Sequence, residues 1–187
     1  MDPKKIAIVG MTLVMVTLGL YIGASYLTFP SGNDEPLTRY STDRDLLSLN
    51  LSAPDNWSFQ LANESTLLLS DLRGEVVLVD LMATWCSACE SQNTELKTIN
   101  EEFAGTVVIL SLSVDLSSDT TALMANYSDV QGVSWAHGLD TDYSFKNYFH
   151  VVSIPSMVLI DADGVFRYFH IGLWSAASIA DTIASIL

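Results

Sequence analysis

The chain has 187 residues, with 8 Lys+Arg against 22 Asp+Glu and a formal net charge of −14. Because 49% of the residues are hydrophobic and only 16% are charged, the composition excludes a disordered acidic protein. A pI near 4.2 excludes a general nucleic-acid binder, since such proteins need clustered Lys and Arg to neutralise phosphates. Two cysteines exclude a disulfide-rich scaffold and a self-contained four-cysteine zinc site.

The amino-terminal segment predicts a membrane anchor. Residues 6–29 contain no Asp, Glu, Lys, Arg or His. As a helix rising about 1.5 Å per residue they would reach about 36 Å, enough to cross a hydrocarbon core of about 30 Å. Two lysines precede the segment and two acidic residues follow it, so residues 1–5 are expected in the cytoplasm and the remainder outside. The alternative is a cleaved signal peptide, although its apolar region would be unusually long.

A linker is predicted between the anchor and the globular part. Residues 30–56 are rich in Ser, Asn, Asp and Thr and carry three of the five prolines. The apolar run at residues 46–51 fits either a short helix or a strand lying against the domain. Residues 57–187 are the predicted domain, and they hold 4 Lys+Arg and 16 Asp+Glu, a net charge of −12.

Within the domain, short apolar runs alternate with segments of helical length. The predicted strands are residues 57–61, 76–82, 106–114, 157–160 and 165–171, and the predicted helices are residues 87–103, 117–127, 142–149 and 175–187. The run at 76–82 is apolar except for Asp80, as expected for a strand covered on both faces. The order β-β-α-β-α-α-β-β-α predicts an α/β domain with a mixed sheet and helices on both faces.

Both cysteines lie in one Cys-x-x-Cys sequence between a buried strand and a helix. At a helix start, free N–H groups and the positive end of the helix dipole stabilise an anion, which favours the thiolate of Cys86. A thiolate attacks a disulfide and forms a mixed disulfide, which a second thiol resolves. Cys89 lies one helical turn further on and is placed to act as that second thiol.

Asp80 is a carboxylate within an otherwise apolar strand. Burial would raise its pKa, so that it could exchange a proton with Cys89. The alternative is a core aspartate whose oxygens are bonded to the backbone.

Two segments resemble the signatures of thioredoxins. Residues 77–89 (VLVDLMATWCSAC) are similar to the active-site strand and helix start of that family, and residues 149–164 (FHVVSIPSMVLIDADG) are similar to its second signature. The resemblance is closest to the membrane-anchored, extracytoplasmic thioredoxins of the TlpA/ResA type, and it covers about residues 57–187. It implies a thioredoxin-like fold in which Cys86 attacks, Cys89 resolves and Asp80 transfers the proton.

The same resemblance implies the residues that meet the substrate. Pro155 would follow a cis peptide bond beside the cysteines, and the backbone of Ile154 would pair with an extended substrate segment. Trp85 would border the reactive sulfur. From the residues alone, Pro155 is equally consistent with a trans proline at the start of a strand.

Three positions depart from the family pattern. Ala88 stands where most relatives have Pro, and Met82 stands where an aromatic residue is common. Residues 111–115 lack the lysine that lies near the buried carboxylate of cytosolic thioredoxins. The resemblance therefore leaves the reduction potential and the partner of Asp80 open.

The predicted function is reduction of disulfides in client proteins, with a membrane electron donor and with cytochrome maturation as a common client pathway of such relatives. No cofactor is expected beyond the Cys86–Cys89 disulfide, and no metal, since His137, His150 and His170 are not spaced as ligand pairs. An oxidase or isomerase using the same site is the alternative within this chemistry. A copper-binding assembly module is the alternative from another class, because two thiolates suit Cu(I).

Overall fold

One mixed sheet of eight strands runs through residues 46–187, which are the residues that the computed structural model describes. The predicted anchor at 6–29 and the first part of the predicted linker lie outside these residues. Between residues 46 and 187 no helix is both long enough and apolar enough to cross a membrane.

The strands are β1 (Leu46–Ser52), β2 (Ser58–Leu61), β3 (Thr66–Leu68), β4 (Val76–Met82), β5 (Val107–Ser113), β6 (Ala136–Leu139), β7 (Ser156–Ile160) and β8 (Val165–Ile171). The helices are α1 (Ser87–Glu102), α2 (Thr121–Gln131), α3 (Ser144–Tyr148) and α4 (Ala176–Ala184), with one turn of 3₁₀ helix at Leu69–Leu72. The sheet order is β1-β8-β7-β4-β5-β6-β2-β3. Only β4, β5 and β6 run parallel to their neighbours in that group, and every other pairing is antiparallel.

Side-chain caps determine where three of the helices begin. Cys86, Thr120 and Ser175 each accept a hydrogen bond from a backbone N–H in the first turn of α1, α2 and α4. Helix α2 therefore begins at Thr121, four residues after the predicted start at 117. The residues in between form a turn that the side chain of Asp115 holds, because its Oδ1 accepts from the backbone N–H of Ser117.

The sheet begins earlier than predicted. Strand β1 pairs antiparallel with β8, so the domain includes this strand and does not begin at residue 57, and the predicted linker is shorter by that strand. Strands β3 and β6, which have 3 and 4 residues, were not predicted. Strands this short carry too few residues for an alternating pattern to be recognised. The predicted bounds of β4 and β8 are confirmed.

The two faces of the sheet carry different cores. On one side, which we call the helix face, α1, α2 and α4 cover the sheet; Leu96 and Ile99 of α1 pack with Ile179 and Ile183 of α4. The other side, the aromatic face, carries ring-to-ring contacts that run through α3. Its rings are Trp57, Phe59, Phe145, Tyr148, Phe149, Phe166 and Phe169.

Candidate active site

The two cysteines form a disulfide at the start of α1. Cys86 is the N-cap, and its Sγ accepts a hydrogen bond from the backbone N–H of Cys89 at 3.1 Å. Cys86 is 5% exposed and Cys89 only 1%. After reduction, the same N–H and the helix dipole would favour a thiolate at the Cys86 sulfur, and the role of Cys86 as the attacking thiol stays a prediction.

An apolar cluster surrounds the disulfide. Its buried members are Met82, Ala83, Cys86, Cys89, Met124, Tyr127 and Leu139, and Ile154 packs against it. The peptide bond between Ile154 and Pro155 is cis, which confirms that part of the expectation. The structure therefore brings the second signature segment against the first. Gly172, whose φ of 91° favours glycine, donates its N–H to the carbonyl oxygen of Pro155 at 2.8 Å.

Asp80 lies beneath this cluster in the centre of the sheet. Alternate residues of a strand face the same side, so the side chain of Asp80 lies between Leu78, which packs under α1, and Met82, which packs with the cysteines. Asp80 is 1% exposed, and burial raises its pKa to about 7 despite one hydrogen bond from Ser111.

The two oxygens of Asp80 have different surroundings. Oδ2 accepts from the Ser111 hydroxyl at 2.9 Å, whereas Oδ1 is buried and has no hydrogen-bond partner among residues 46–187. Asp80 is therefore not a core aspartate whose oxygens the backbone satisfies, which was the alternative left open above. A buried, half-satisfied carboxyl group near a thiol pair is suited to exchange a proton.

A polar row crosses the helix face from Asp80. Ser111 lies beside Asp80 in the β4–β5 register, and His137 lies beside Ser111 in the β5–β6 register. The indole Nε1 of Trp135 donates to Ser111 Oγ at 2.9 Å, and the Trp135 ring stacks on His137 with centroids 5.9 Å apart. Ser111 and Trp135 were not predicted as site residues. The available signals were a serine within an apolar strand and a tryptophan directly before β6, a strand that was not predicted.

Tyr127 and Asn93 complete the polar surroundings from the helices. Asn93 of α1 donates to the Tyr127 hydroxyl of α2 at 2.9 Å, and both side chains are buried. Burial raises the pKa of Tyr127 to about 12, and the negative charge of Asp80 acts in the same direction. The Tyr127 hydroxyl is thus neutral at physiological pH. Burial has the opposite effect on His137 and lowers its pKa, because it disfavours the charged imidazolium.

The loop after β5 holds the residues that precede Cys86. Asp119, only 3% exposed, accepts from the Thr84 backbone N–H at 3.0 Å, from the Thr84 hydroxyl, and from the Ser113 hydroxyl at 2.5 Å. Asp119 fell within the predicted helix at residues 117–127, and only the fold shows that it lies beside Thr84. Asp119 fixes the backbone one residue before Trp85.

Trp85 is 62% exposed, and its Nε1 donates to Asp115 Oδ2 at 2.9 Å. Donors from Ser117 and Trp85 lower the pKa of Asp115 to about 2. Val152 and Leu173 are also exposed, at 87% and 57%. Trp85 directly precedes Cys86 in the chain, Val152 precedes the cis proline by three residues, and Leu173 follows Gly172, whose N–H bonds to Pro155. We call these three exposed apolar side chains the apolar rim.

The three histidines lie on separate elements, on β6, after α3 and on β8. Among residues 46–187 no group of three or more His, Cys, Asp or Glu side chains is arranged to hold a metal ion.

Comparisons with known proteins agree with this geometry. A family model described as thioredoxin-like matches residues 74–166. A thiol:disulfide interchange protein DsbE from Allochromatium vinosum is 26% identical over 174 residues, which are 92% of this chain and 91% of that protein. The thiol-disulfide oxidoreductase ResA from Bacillus subtilis is 25% identical over 122 residues, covering 65% of this chain and 66% of that protein.

Solved structures show the same fold. The crystal structure of a thiol:disulfide interchange protein of the thioredoxin family from Chlorobium tepidum superposes with a TM-score of 0.63 at 20% identity, covering 73% of this chain and 96% of that one. The site contains the paired cysteines at a helix start, the cis proline and the buried aspartate that the resemblance implied. The chain belongs to the thioredoxin superfamily and is a thiol-disulfide oxidoreductase of the TlpA/ResA/DsbE type.

Proposed function

We propose that this protein reduces disulfide bonds in extracytoplasmic client proteins while tethered to the membrane by its amino-terminal segment. The observation that carries the proposal is the position of Cys86 at the N-terminus of α1, where the Cys89 N–H meets its sulfur. This placement stabilises the Cys86 thiolate, which is the form that attacks a disulfide.

The reaction begins with the dithiol form of the protein. The Cys86 thiolate attacks one sulfur of the client disulfide, the S–S bond of the client breaks, and its other sulfur leaves as a thiolate. The Cys89 thiol gives its proton to Asp80 and attacks Cys86, which forms the Cys86–Cys89 disulfide and releases the second client thiolate. The client gains two electrons, and the released thiolates take up protons from Asp80 and from water. A reduced dithiol protein in the membrane then returns two electrons to the Cys86–Cys89 disulfide.

Substrate binding is assigned to the backbone of Ile154, to the cis proline at 155 and to the apolar rim. A cis proline leaves no N–H at its own position, and Ile154 is partly exposed beside the disulfide, so its backbone can pair with an extended client segment. The apolar side chain of Trp85 would cover the apolar residues that flank a client cysteine.

Charge favours clients that are not acidic. The domain has a net charge of −12 from residue 57 onward. Within the described part of the chain, each lysine and arginine is already bonded to another group of the same protein: Arg73 to Asp55, Arg167 to Asp161, Lys97 to the Gln131 carbonyl and Lys146 to the Val114 carbonyl. An acidic client would therefore be repelled, and neutral or basic segments would associate faster.

The test is reduction of insulin disulfides by the purified full-length protein in detergent, with a chemical dithiol as the electron donor. We expect turnover by the wild type, only background turnover by Cys86→Ser, and trapped covalent client complexes with Cys89→Ser. Full activity of Cys86→Ser would contradict the assignment of the nucleophile.

The direction of electron flow is tested by the reduction potential of the Cys86–Cys89 couple. A value near that of thioredoxin, about −270 mV, supports the reductase, whereas a value near −120 mV would make the protein an oxidant of client thiols. Protease protection in sealed inverted vesicles tests the topology: an extracytoplasmic domain resists added protease until the vesicles are opened.

A further inference from the structure

We propose that Trp135 is a positioning residue of the redox site, which acts through Ser111 to hold Asp80 so that Oδ1 is the oxygen that takes and releases the proton. This inference rests on the proposed function for its consequence in catalysis. Its structural core is the hydrogen-bond chain from Trp135 Nε1 to Ser111 Oγ and from Ser111 Oγ to Asp80 Oδ2, with both distances at 2.9 Å.

The direction of this chain follows from the chemistry of its members. An indole N–H can only donate, so Ser111 Oγ must receive it with a lone pair. A serine hydroxyl has one hydrogen, and its acceptor here is Asp80 Oδ2. Oδ2 is thus an acceptor whether or not the carboxyl group is protonated. When Asp80 binds a proton, that proton sits on Oδ1, the buried oxygen without a partner among the described residues.

The hydrogen-bond chain from Trp135 also supplies the partner of Asp80 that the sequence left open, since residues 111–115 contain no lysine. None of the four described cations is bonded to Asp80, so neutral donors alone support its ionised form. Hydrogen bonds in a chain polarise one another, so a Ser111 hydroxyl that accepts from Trp135 is a stronger donor to the carboxylate. Trp135 therefore opposes part of the effect of burial, and it does so only through Ser111.

Other groups around Asp80 do not replace this effect. In the disulfide form the titratable groups on the surrounding elements are Tyr127 of α2 and His137 of β6, with Glu90 and Asp119 as further carboxylates near Tyr127. Cys89 of α1 does not titrate while it is bonded to Cys86. The nearest residue of β7 in the register is Met157, which does not titrate. Tyr127 and the carboxylates cannot add positive charge, and burial opposes a charge on His137.

The experiment is a titration of the Asp80 carboxyl carbon by ¹³C NMR in the full-length, disulfide form, with the signal identified by its loss in Asp80→Asn. We expect the pKa of Asp80 to rise by about one unit in Ser111→Ala and by about half a unit in Trp135→Phe. The double variant should shift no further than Ser111→Ala alone, because Trp135 has no other route to Asp80. Trp135→Phe keeps a ring that can stack on His137.

Matched controls use the same substitutions at other positions. Ser113→Ala removes a buried hydroxyl two residues along the same strand, and this hydroxyl bonds to Asp119. Trp57→Phe changes a tryptophan on the aromatic face. Neither control should move the pKa of Asp80. An unchanged pKa in Trp135→Phe, or additive shifts in the double variant, would overturn the proposal.

A kinetic readout separates positioning from a purely structural role. Asp80 must be ionised to accept the proton of Cys89, so a higher pKa moves the pH of half-maximal insulin reduction upward by the same amount in Trp135→Phe. A lower rate at every pH with an unmoved profile contradicts positioning. If the wild type reduces no insulin at all, the proposed function fails while the NMR titration still decides the role of Trp135.

Discussion

On the aromatic face the sheet is covered by packed rings, whereas on the helix face the same sheet buries a carboxyl group, a serine, an imidazole and an asparagine among apolar residues. Packed apolar rings need no hydrogen-bond partners, and they add to stability in proportion to the surface area they bury. Buried polar groups need partners, and Asp80 Oδ1 lacks one within residues 46–187. The aromatic face therefore contributes stability through packing alone, whereas the helix face combines its apolar core with buried polar groups that cost stability and place the redox chemistry.

The largest effect on stability is expected on the aromatic face. Phe166 is completely buried and contacts the rings of Trp57, Phe145, Tyr148 and Phe149. Phe166→Ala should lower the free energy of unfolding by about 3–5 kcal/mol, because it removes apolar contacts and leaves a cavity. Urea unfolding measures this loss.

Disulfide reduction per folded molecule should be unchanged in the same variant, because Phe166 lies on the face away from the cysteines. Val130→Ala, which shortens a side chain that is 73% exposed, is the control and should leave the unfolding midpoint in place. If folded Phe166→Ala protein reduced disulfides more slowly than the wild type, the two faces would not be separate in function.

On the helix face, Asp80→Asn is expected to raise the free energy of unfolding rather than lower it. Asp80 titrates near 4 in the unfolded chain and at about 7 in the folded protein, so the folded state holds a proton that the unfolded state has lost between these values. The wild type therefore loses stability as the pH rises from about 4 to about 7. The variant lacks this loss and should be more stable at pH 8, by on the order of 2–4 kcal/mol, and about equally stable at pH 4.

Urea unfolding of the disulfide form at both pH values measures this difference, and insulin reduction should be slower in the same variant at neutral pH. Asp181→Asn changes an exposed aspartate of α4 and should alter neither quantity. An Asp80→Asn protein that is less stable than the wild type at pH 8 would contradict the view that this carboxyl group lowers stability.

A smaller loss of stability is expected from Asp119→Ala. The substitution leaves the Ser113 hydroxyl and the Thr84 N–H without their acceptor, which lowers the free energy of unfolding by about 1–3 kcal/mol. Since Thr84 lies two residues before Cys86, we also expect slower attack on client disulfides. Stopped-flow measurement of mixed-disulfide formation tests the rate, with Asp181→Ala as the control. An unchanged rate would limit Asp119 to a structural role.

The smallest effect is expected from Trp85→Phe, which removes the indole N–H that bonds to Asp115 and keeps an aromatic ring on the apolar rim. The unfolding midpoint should stay within error of the wild type. The pKa of Asp115 should rise, because one of the donors that lower it is lost. Client KM should rise a few-fold with kcat little changed, and a change confined to kcat would place Trp85 in the chemical step.

Local patterns predicted much of the fold. The apolar run at 76–82 identifies β4, and the short run of apolar and aromatic residues at 165–171 identifies β8. The start of α2 was placed four residues too early, because a serine or aspartate before a helix can either cap it or close a turn, and the sequence does not distinguish the two. Strand β1 was left within the linker, since its pairing with β8 joins residues that are far apart in the chain.

The sequence by itself determined where the chemistry lies. Two cysteines three positions apart stand at a strand–helix junction, and Asp80 lies in the strand before them. This order along the chain, with the dipole of the helix that begins there, is enough to locate the redox site. Only the tertiary structure decided how Asp80 is held. Ser111 and Trp135 reach it through the register of β4, β5 and β6, and strand register depends on contacts across the whole sheet, which no local pattern records.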